Sequence, residues 1–152
     1  MIGKIVIIAV VLIVGIAVAA LVFLMPQQDG MTAVTVPNVK FVSFDVDRKD
    51  ITMGETTNMI YNVQNFEERA IADARVTILI ESPGYEQFLS IQNQTIVLTP
   101  LPAKDAATGE VRVPITATGS PAREAVYVVK GILIVEGVQT DVRELELKIH
   151  QQ

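Results

Sequence analysis

Apolar and polar positions follow two different patterns along this chain of 152 residues. The first pattern is an unbroken apolar run from Ile5 to Met25. As a helix with a rise of about 1.5 Å per residue, this run is roughly 31 Å long, which matches a bilayer hydrocarbon core of about 30 Å. The second pattern is an alternation of apolar and polar residues with a period of two, which is typical of half-buried β-strands. The chain is therefore predicted to combine one membrane helix with one β-rich domain.

The apolar run predicts an uncleaved anchor over residues 1–25. A cleavable signal has an apolar region of only about 7–15 residues, whereas this run continues to Pro26, which ends the helix because it lacks a backbone donor. Lys4 precedes the run and Asp29 follows it, so the N-terminus is expected in the cytoplasm and the domain outside. The protein is thus predicted to span the cell membrane once, and the anchor positions expected to meet the lipid bilayer include Ile5, Leu12, Gly15, Ala19, Leu21 and Met25.

Turn residues divide the rest of the chain into a linker and a domain. Residues 26–38 contain two prolines and a glycine without helical periodicity, and they are predicted to be the linker. Residues 39–152 are predicted to form an antiparallel β-sandwich of seven or eight strands, because alternating segments are separated by turn signals every 8 to 15 residues. The predicted strands cover residues 39–46, 59–64, 74–81, 85–92, 95–99, 110–118 and two arms of a hairpin around residues 136–139.

The strand at 125–135 departs from this alternation because it is apolar on both faces. One face carries Tyr127, Val129, Leu133 and Val135, and the other carries Val126, Val128, Ile132 and Ile134. One interpretation is a central strand whose second face is covered by the linker or by loops. The other is that Val126, Val128, Ile132 and Ile134 form an interface with a protein partner.

Residues 51–82, "ITMGETTNMIYNVQNFEERAIADARVTILIES", have a recognisable grammar. Gly54 precedes a strand that ends in Val63-x-Asn65, and a loop and a Val/Ile strand follow; "PITAT" at 114–118 fits the same pattern. The stretch resembles the immunoglobulin-like (Ig-like) modules of the cell-adhesion-related repeat kind in prokaryotic, archaeal-type surface proteins. The resemblance covers about residues 39–149, and it implies an Ig-like sandwich that acts as a spacer or binding surface without catalysis.

Two other resemblances concern only the overall plan of the chain. A helix followed by a lone sandwich resembles stator-type accessory proteins of the archaellum, which implies a subunit of a membrane assembly. It also resembles pilins and archaellins, whose N-terminal helices pack together in a filament. Gly15 and Ala19 form a small-xxx-small pair that permits such self-association. The chain departs from bacterial pilins, which carry a glutamate at the fifth mature residue, because no acidic residue occurs before Asp29. A homo-oligomeric filament subunit is therefore the alternative prediction.

Composition excludes several classes of function. The chain has 12 Lys and Arg against 17 Asp and Glu, a net charge of −5, and no basic cluster, so nucleic acid is not an expected partner. It has no cysteine and one histidine, His150 near the C-terminus, which is expected to be flexible and silent. No catalytic constellation can be assembled, and neither an enzyme nor a cofactor is predicted.

Two further sequence features raise the question of small ligands and modification. Asp45, Asp47, Asp50 and Glu55 lie close together in sequence, and carboxylates are Ca²⁺ ligands; the favoured interpretation is nevertheless a set of solvated turn acids, since Arg48 and Lys49 lie among them. Asn93-Gln94-Thr95 is an N-glycosylation sequon, so Asn93 is a candidate glycosylation site.

Overall fold

The computed structural model describes residues 35–98, 100–104 and 106–150. The predicted membrane helix, with its anchor positions, and residues 26–34 of the predicted linker lie outside these described residues. Over the described ranges, no helix has the length and apolar character needed to cross a membrane. Residues Val36–Gln152 form one compact unit.

Short strands make up nearly all of the regular structure in the described residues. A single turn of 3-10 helix lies at Tyr85–Gln87. The strands are β1 Val39–Val46, β2 Asp50–Thr52, β3 Thr56–Asn65, β4 Ala74–Ile80, β5 Leu89–Ile91, β6 Thr95–Val97, β7 Ala106–Ala107, β8 Val111–Ala117, β9 Ala125–Val135 and β10 Val138–His150.

These strands form two sheets that enclose one core. The first sheet has the order β1-β3-β8-β5, with β7 paired to β3, and the second has the order β2-β10-β9-β4-β6. Inward-facing side chains of both sheets belong to one buried hydrophobic cluster. The predicted all-β sandwich is therefore confirmed in its coarse form, as two sheets packed face to face.

The alternation of apolar residues sets which face of each strand is buried. In β4, Val76, Ile78 and Ile80 point into the core, as the sequence predicts. The hairpin between β9 and β10 turns at Glu136 and Gly137, whose φ angles are 50° and 81°. Two consecutive residues with positive φ give a two-residue turn that matches the strand twist, so the turn is tighter than the predicted 136–139.

The predicted strand list is wrong at three places. The prediction of a purely antiparallel sandwich missed β2, which pairs in parallel with β10 at residues 148–150, and it missed the two-residue β7. Both segments are too short to show a periodicity. The segment at 85–92 was predicted to be one strand, but it begins with the 3-10 turn because Ser82-Pro83-Gly84 starts a turn in which Gly84 is left-handed, with φ 76°.

Pro114 shows how an internal strand accommodates a missing donor. The sequence predicts an edge position, yet β8 lies between β3 and β5. The last paired residue of β5 is Ile91, and the Pro114 carbonyl accepts a 3.4 Å hydrogen bond from the Gln92 amide just beyond it. Since the N–H and C=O of one strand residue point to the same side, the missing donor falls where the neighbouring strand ends.

A candidate protein-binding face

The strand that is apolar on both faces lies in the middle of the second sheet. β9 pairs with β10 on one side and with β4 on the other. The prediction of a central strand is therefore confirmed. Its inward residues, including Val129 and Leu133, are buried in the core. Its alternate residues point away from the first sheet. The side of the second sheet on which they lie is called the outer face.

The outward-pointing apolar residues of β9, Val126, Val128, Ile132 and Ile134, are called the β9 stripe. Val126 is 46% exposed, and the other three are half-buried. No segment among the described residues covers these four side chains to the extent that the core covers the inward-pointing residues of β9. Hence the loops that the structure describes do not supply the cover that one interpretation of the sequence required.

Neighbouring strands extend this apolar surface. Leu79 on β4 is 37% exposed and Val97 on β6 is 66% exposed. Val97 pairs with Arg75 across the β4–β6 ladder, so both residues lie on the outer face. Sequence reasoning did not single out Leu79, although the alternation of β4 places it opposite the buried Ile78 and Ile80.

A paired lysine interrupts the β9 stripe at its centre. The Lys130 ammonium forms an ion pair with Glu81 and another, 2.8 Å long, with Glu144. The hydrogen bonds to Glu144 and Glu81 raise the pKa of Lys130 above its ordinary value. The Lys130 side chain is only 19% exposed, so its aliphatic stem lies along the sheet while its charge is neutralised locally.

The outer face of the first sheet provides a contrast. Its central strand, β3, directs Asn58, Ile60, Asn62 and Gln64 away from the core. Three of these four side chains are polar amides, whereas four of the five outward residues between Val126 and Ile134 are aliphatic. The outward side of β9 is thus more apolar than that of β3.

Asn93 lies at an exposed turn before β6. Its φ angle is 45°, a left-handed conformation that asparagine tolerates better than most residues. The carbonyl of the next residue, Gln94, accepts a 2.7 Å hydrogen bond from the Ile78 amide. The sequon therefore begins on an ordered loop with its asparagine side chain at the surface.

The acidic residues considered for Ca²⁺ are each held by a separate partner. Asp47 accepts a 2.8 Å hydrogen bond from the Asn58 side chain, and Glu55 pairs with Arg48 at 2.7 Å. Asp50 lies 3.0 Å from the ring of His150. No group of His, Cys, Asp and Glu among the described residues is arranged to hold a metal ion.

His150 is ordered, in contrast to the expectation of a flexible terminal residue. It is the last residue of β10 and pairs with Thr52 of β2. Its two ring nitrogens lie 3.0 Å from Asp50 and 3.2 Å from Glu124. Strand pairing extends closer to the C-terminus than the sequence suggested.

Asn65 is a buried polar residue whose structural role the sequence did not reveal. Its side chain is fully buried, and its amide donates hydrogen bonds to the carbonyls of Arg69 at 2.9 Å and Pro102 at 2.8 Å. Its side-chain oxygen accepts a 2.9 Å bond from the Glu67 amide. Asn65 therefore ties two loops to the end of β3, which is a structural reason for the Val-x-Asn pattern.

Comparison with known proteins leaves the family of this chain open. No protein-family model matches the sequence, and no curated protein matches it either. Among solved structures, a CARDB domain from Pyrococcus furiosus, solved in complex with di-metal ions, aligns with 75% of this chain and 92% of its own, at 10% identity and a TM-score of 0.48. CARDB is a cell-adhesion-related, Ig-like domain.

Two further solved structures give likenesses of the same strength. The periplasmic chaperone SfaE aligns with 72% of this chain and 57% of its own, at 13% identity and a TM-score of 0.46. The DNA glycosylase AlkC from Pseudomonas fluorescens, solved bound to DNA containing an abasic site analog, aligns at 14% identity and a TM-score of 0.49, and this chain spans 31% of it. At such identities and TM-scores, none of these likenesses says what this chain binds.

Proposed function

We propose that this chain is a single-pass protein of the cell membrane that displays an Ig-like β-sandwich outside the cell as a binding module of the envelope. The apolar run from Ile5 to Met25 supports the anchor, and Lys4 before the run supports a cytoplasmic N-terminus. The role is that of an adhesion component or a stator-type accessory subunit, and it involves no catalysis.

The observation that carries this proposal is the uncovered β9 stripe on the outer face. Completely burying one aliphatic side chain contributes about 1.5–3 kcal/mol. Val126 is exposed and the other three stripe residues are half-buried, so a partner that covers all four gains a few kcal/mol. Sheet faces exposed to solvent are ordinarily polar, as the outward side of β3 is, and the partly exposed aliphatic residues on both sides of Lys130 indicate a protein contact.

A matched pair of charge substitutions tests the binding role. Ile132→Asp places a carboxylate in the β9 stripe, and Ile60→Asp places one at a half-buried position on the outer face of the first sheet. Native membranes carrying each full-length variant are treated with a lysine cross-linker, and the linked partners are identified by mass spectrometry. Ile132→Asp is expected to lose the partner that the unaltered chain links, and Ile60→Asp is expected to keep it.

Thermal unfolding of both variants supplies the folding control. If Ile132→Asp folds normally and keeps every cross-link of the unaltered chain, the outer face is not the binding surface and the proposal fails. Loss of the partner by both variants would equally contradict a role specific to the second sheet.

The second candidate function is a pilin- or archaellum-like filament subunit. The spacing of Gly15 and Ala19 within the apolar run favours it, because small residues four positions apart let helices approach closely. Cross-links between copies along residues 1–25, together with a shortened N-terminus in the mature protein, would support this function over the accessory role.

Exposure on an outward-facing domain would also make Asn93 a substrate for N-glycosylation. Its surface position on a turn supports the assignment. The intact mass of the native protein is expected to exceed the sequence mass by a glycan, and the excess is expected to disappear in Asn93→Gln. A native mass equal to the sequence mass would show that the sequon is unused.

A further inference from the structure

Opposite charges lie at the two ends of β4 on the outer face. Arg75 lies near the start of this strand and Glu81 directly after its last residue. The other outward-pointing charged residues of the second sheet and its flanks are Lys130, Lys148, Asp50, Asp73, Glu124, Glu144 and Glu146. The whole chain has a net charge of −5, so two copies repel each other at long range. Two copies can approach where opposite charges of the two outer faces meet.

We propose that the outer face binds the outer face of a second copy of this chain, with the strands of the two copies antiparallel. This inference rests on the proposed binding role of that face and names its partner. The pattern of charges along the strands determines the orientation.

The antiparallel arrangement follows from the register of the second sheet. Ile78 of β4 and Gly131 of β9 lie side by side. A two-fold axis can lie between the two outer faces, perpendicular to the strands and at the level of Ile78 and Gly131. This axis places a residue three positions before that level in one copy opposite the residue three positions after it, on the same strand, in the other copy. Arg75 of each copy then faces Glu81 of the other, which gives two ion pairs across the interface.

The same axis brings apolar residues together on β9. Val128 and Ile134 are each three positions from Gly131, so Val128 of one copy faces Ile134 of the other. Lys130 faces Ile132, and because its charge is already neutralised by Glu81 and Glu144, it contributes its aliphatic stem to the contact.

A parallel arrangement meets an electrostatic penalty. If the two-fold axis runs along β9, residues on β4 of one copy face the residues at the same level on β10 of the other copy. Glu81 and Glu146 both lie at the level of Val128, the first through its amide bond to the Val128 carbonyl and the second through the β9–β10 pairing. Two acidic residues would then face each other on both sides of the interface, which opposes this orientation.

The size of the face is sufficient for a dimer. β9 has 11 residues, which at about 3.3 Å each gives a length of roughly 35 Å. β10 has 13 residues, but β4 and β6 have only 7 and 3, and neighbouring strands are about 4.8 Å apart. Pairing two copies would bury on the order of 1,100 Å² in total, which exceeds the about 1,000 Å² expected of a biological interface.

Thiol cross-linking of the full chain distinguishes the two orientations, and the absence of native cysteine makes the result unambiguous. Val128→Cys and Ile134→Cys are purified separately in mild detergent, mixed in equal amounts and treated with a bifunctional thiol reagent that spans about 8 Å, because packed sheets lie about 10 Å apart and a direct disulfide needs Cα atoms within about 7 Å. The mixture is expected to give covalent dimers, whereas each variant alone is expected to give at least ten-fold less. Lys40→Cys, an exposed position on the first sheet, serves as the control and should not react with either variant.

Each outcome decides between pairing with itself and binding another protein. Val128→Cys that cross-links readily with itself would overturn the antiparallel arrangement, and absence of covalent dimers in the mixture would overturn self-pairing. If self-pairing fails while Ile132→Asp still abolishes cross-links to a different native protein, the proposed binding function stands and its partner is not a second copy. If neither the trapping nor that substitution has an effect, both proposals fail.

Discussion

Replacing Gly131 with alanine tests the packing between the two sheets directly. A Cβ atom added at Gly131 would lie 2.3 Å from Cε2 of the Phe44 ring, which reaches the centre of β9 from the first sheet. Carbon atoms in contact are normally about 3.5–4.0 Å apart, so the ring must move by at least about 1.2 Å. The Gly131 backbone is held by pairing with Ile78 and Arg143, and Phe44 itself packs edge-on against Phe41.

Overpacking of this kind costs about 1–3 kcal/mol. For a domain of this size, each kcal/mol lowers Tm by roughly 4 °C, so Gly131→Ala is expected to lower Tm by about 4–12 °C. The measurement is thermal unfolding of the full chain in detergent, followed by near-ultraviolet circular dichroism of its three tyrosines.

A double-substitution cycle isolates the proposed cause. In a Phe44→Ala background the ring is absent, so Gly131→Ala should be neutral or stabilise the domain by about 0.4–1 kcal/mol through the less flexible unfolded chain. An equal loss of stability in both backgrounds would refute the contact with Phe44 as the reason for the glycine.

Three further substitutions probe buried polar groups and one surface acid. Asn65→Asp keeps the size of the side chain but replaces its amide donor, so it is expected to destabilise the domain by at least about 2 kcal/mol in urea unfolding; an unchanged midpoint would contradict the role of Asn65 in tying down the loops. The hydroxyl of the buried Tyr61 has no hydrogen-bond partner among the described residues, so Tyr61→Phe should cost nothing or stabilise the domain by up to about 1 kcal/mol, and a clear loss would reveal a partner. The hydrogen bond from the Thr52 amide and the contact with Arg48 lower the pKa of Glu55 from 4.5 to about 2, so its contribution to stability is complete above pH 4.5 and is lost as the pH falls toward 2. The difference in Tm between the unaltered chain and Glu55→Gln should therefore narrow over that pH range, and a constant difference would exclude ionisation of Glu55 as its source.

The sequence predicted what depends on local alternation. The faces of β3 and β4, the central position of the 125–135 strand and the hairpin after it were predicted because each long strand carries its own period-two pattern. The Lys130 ion pairs were not predicted, because they depend on the register between neighbouring strands. Lys130 and Glu81, for example, are 49 residues apart in the sequence. The contact of Gly131 with Phe44 is also invisible in sequence, since it joins the two sheets across the core.

The interface hypothesis shows the same division between local and non-local information. Alternation along β9 identified the apolar stripe, but the alternative of cover by loops depended on how distant segments pack. The described loops leave Val126 exposed, whereas residues 26–34 of the predicted linker lie outside the described residues, so cover by the linker stays a prediction. That Glu81 and Glu146 lie at the level of Val128, which opposes the parallel arrangement, follows only from the register of β4, β9 and β10.

Cross-linking mass spectrometry on intact native membranes tests the central claim most directly. Lys148 lies on the outer face of the second sheet, and Lys40 lies on that of the first. If the second sheet binds a protein, Lys148 should link to another chain while Lys40 remains without such links. Intermolecular links at Lys40 with none at Lys148 would show that the wrong face has been assigned to binding.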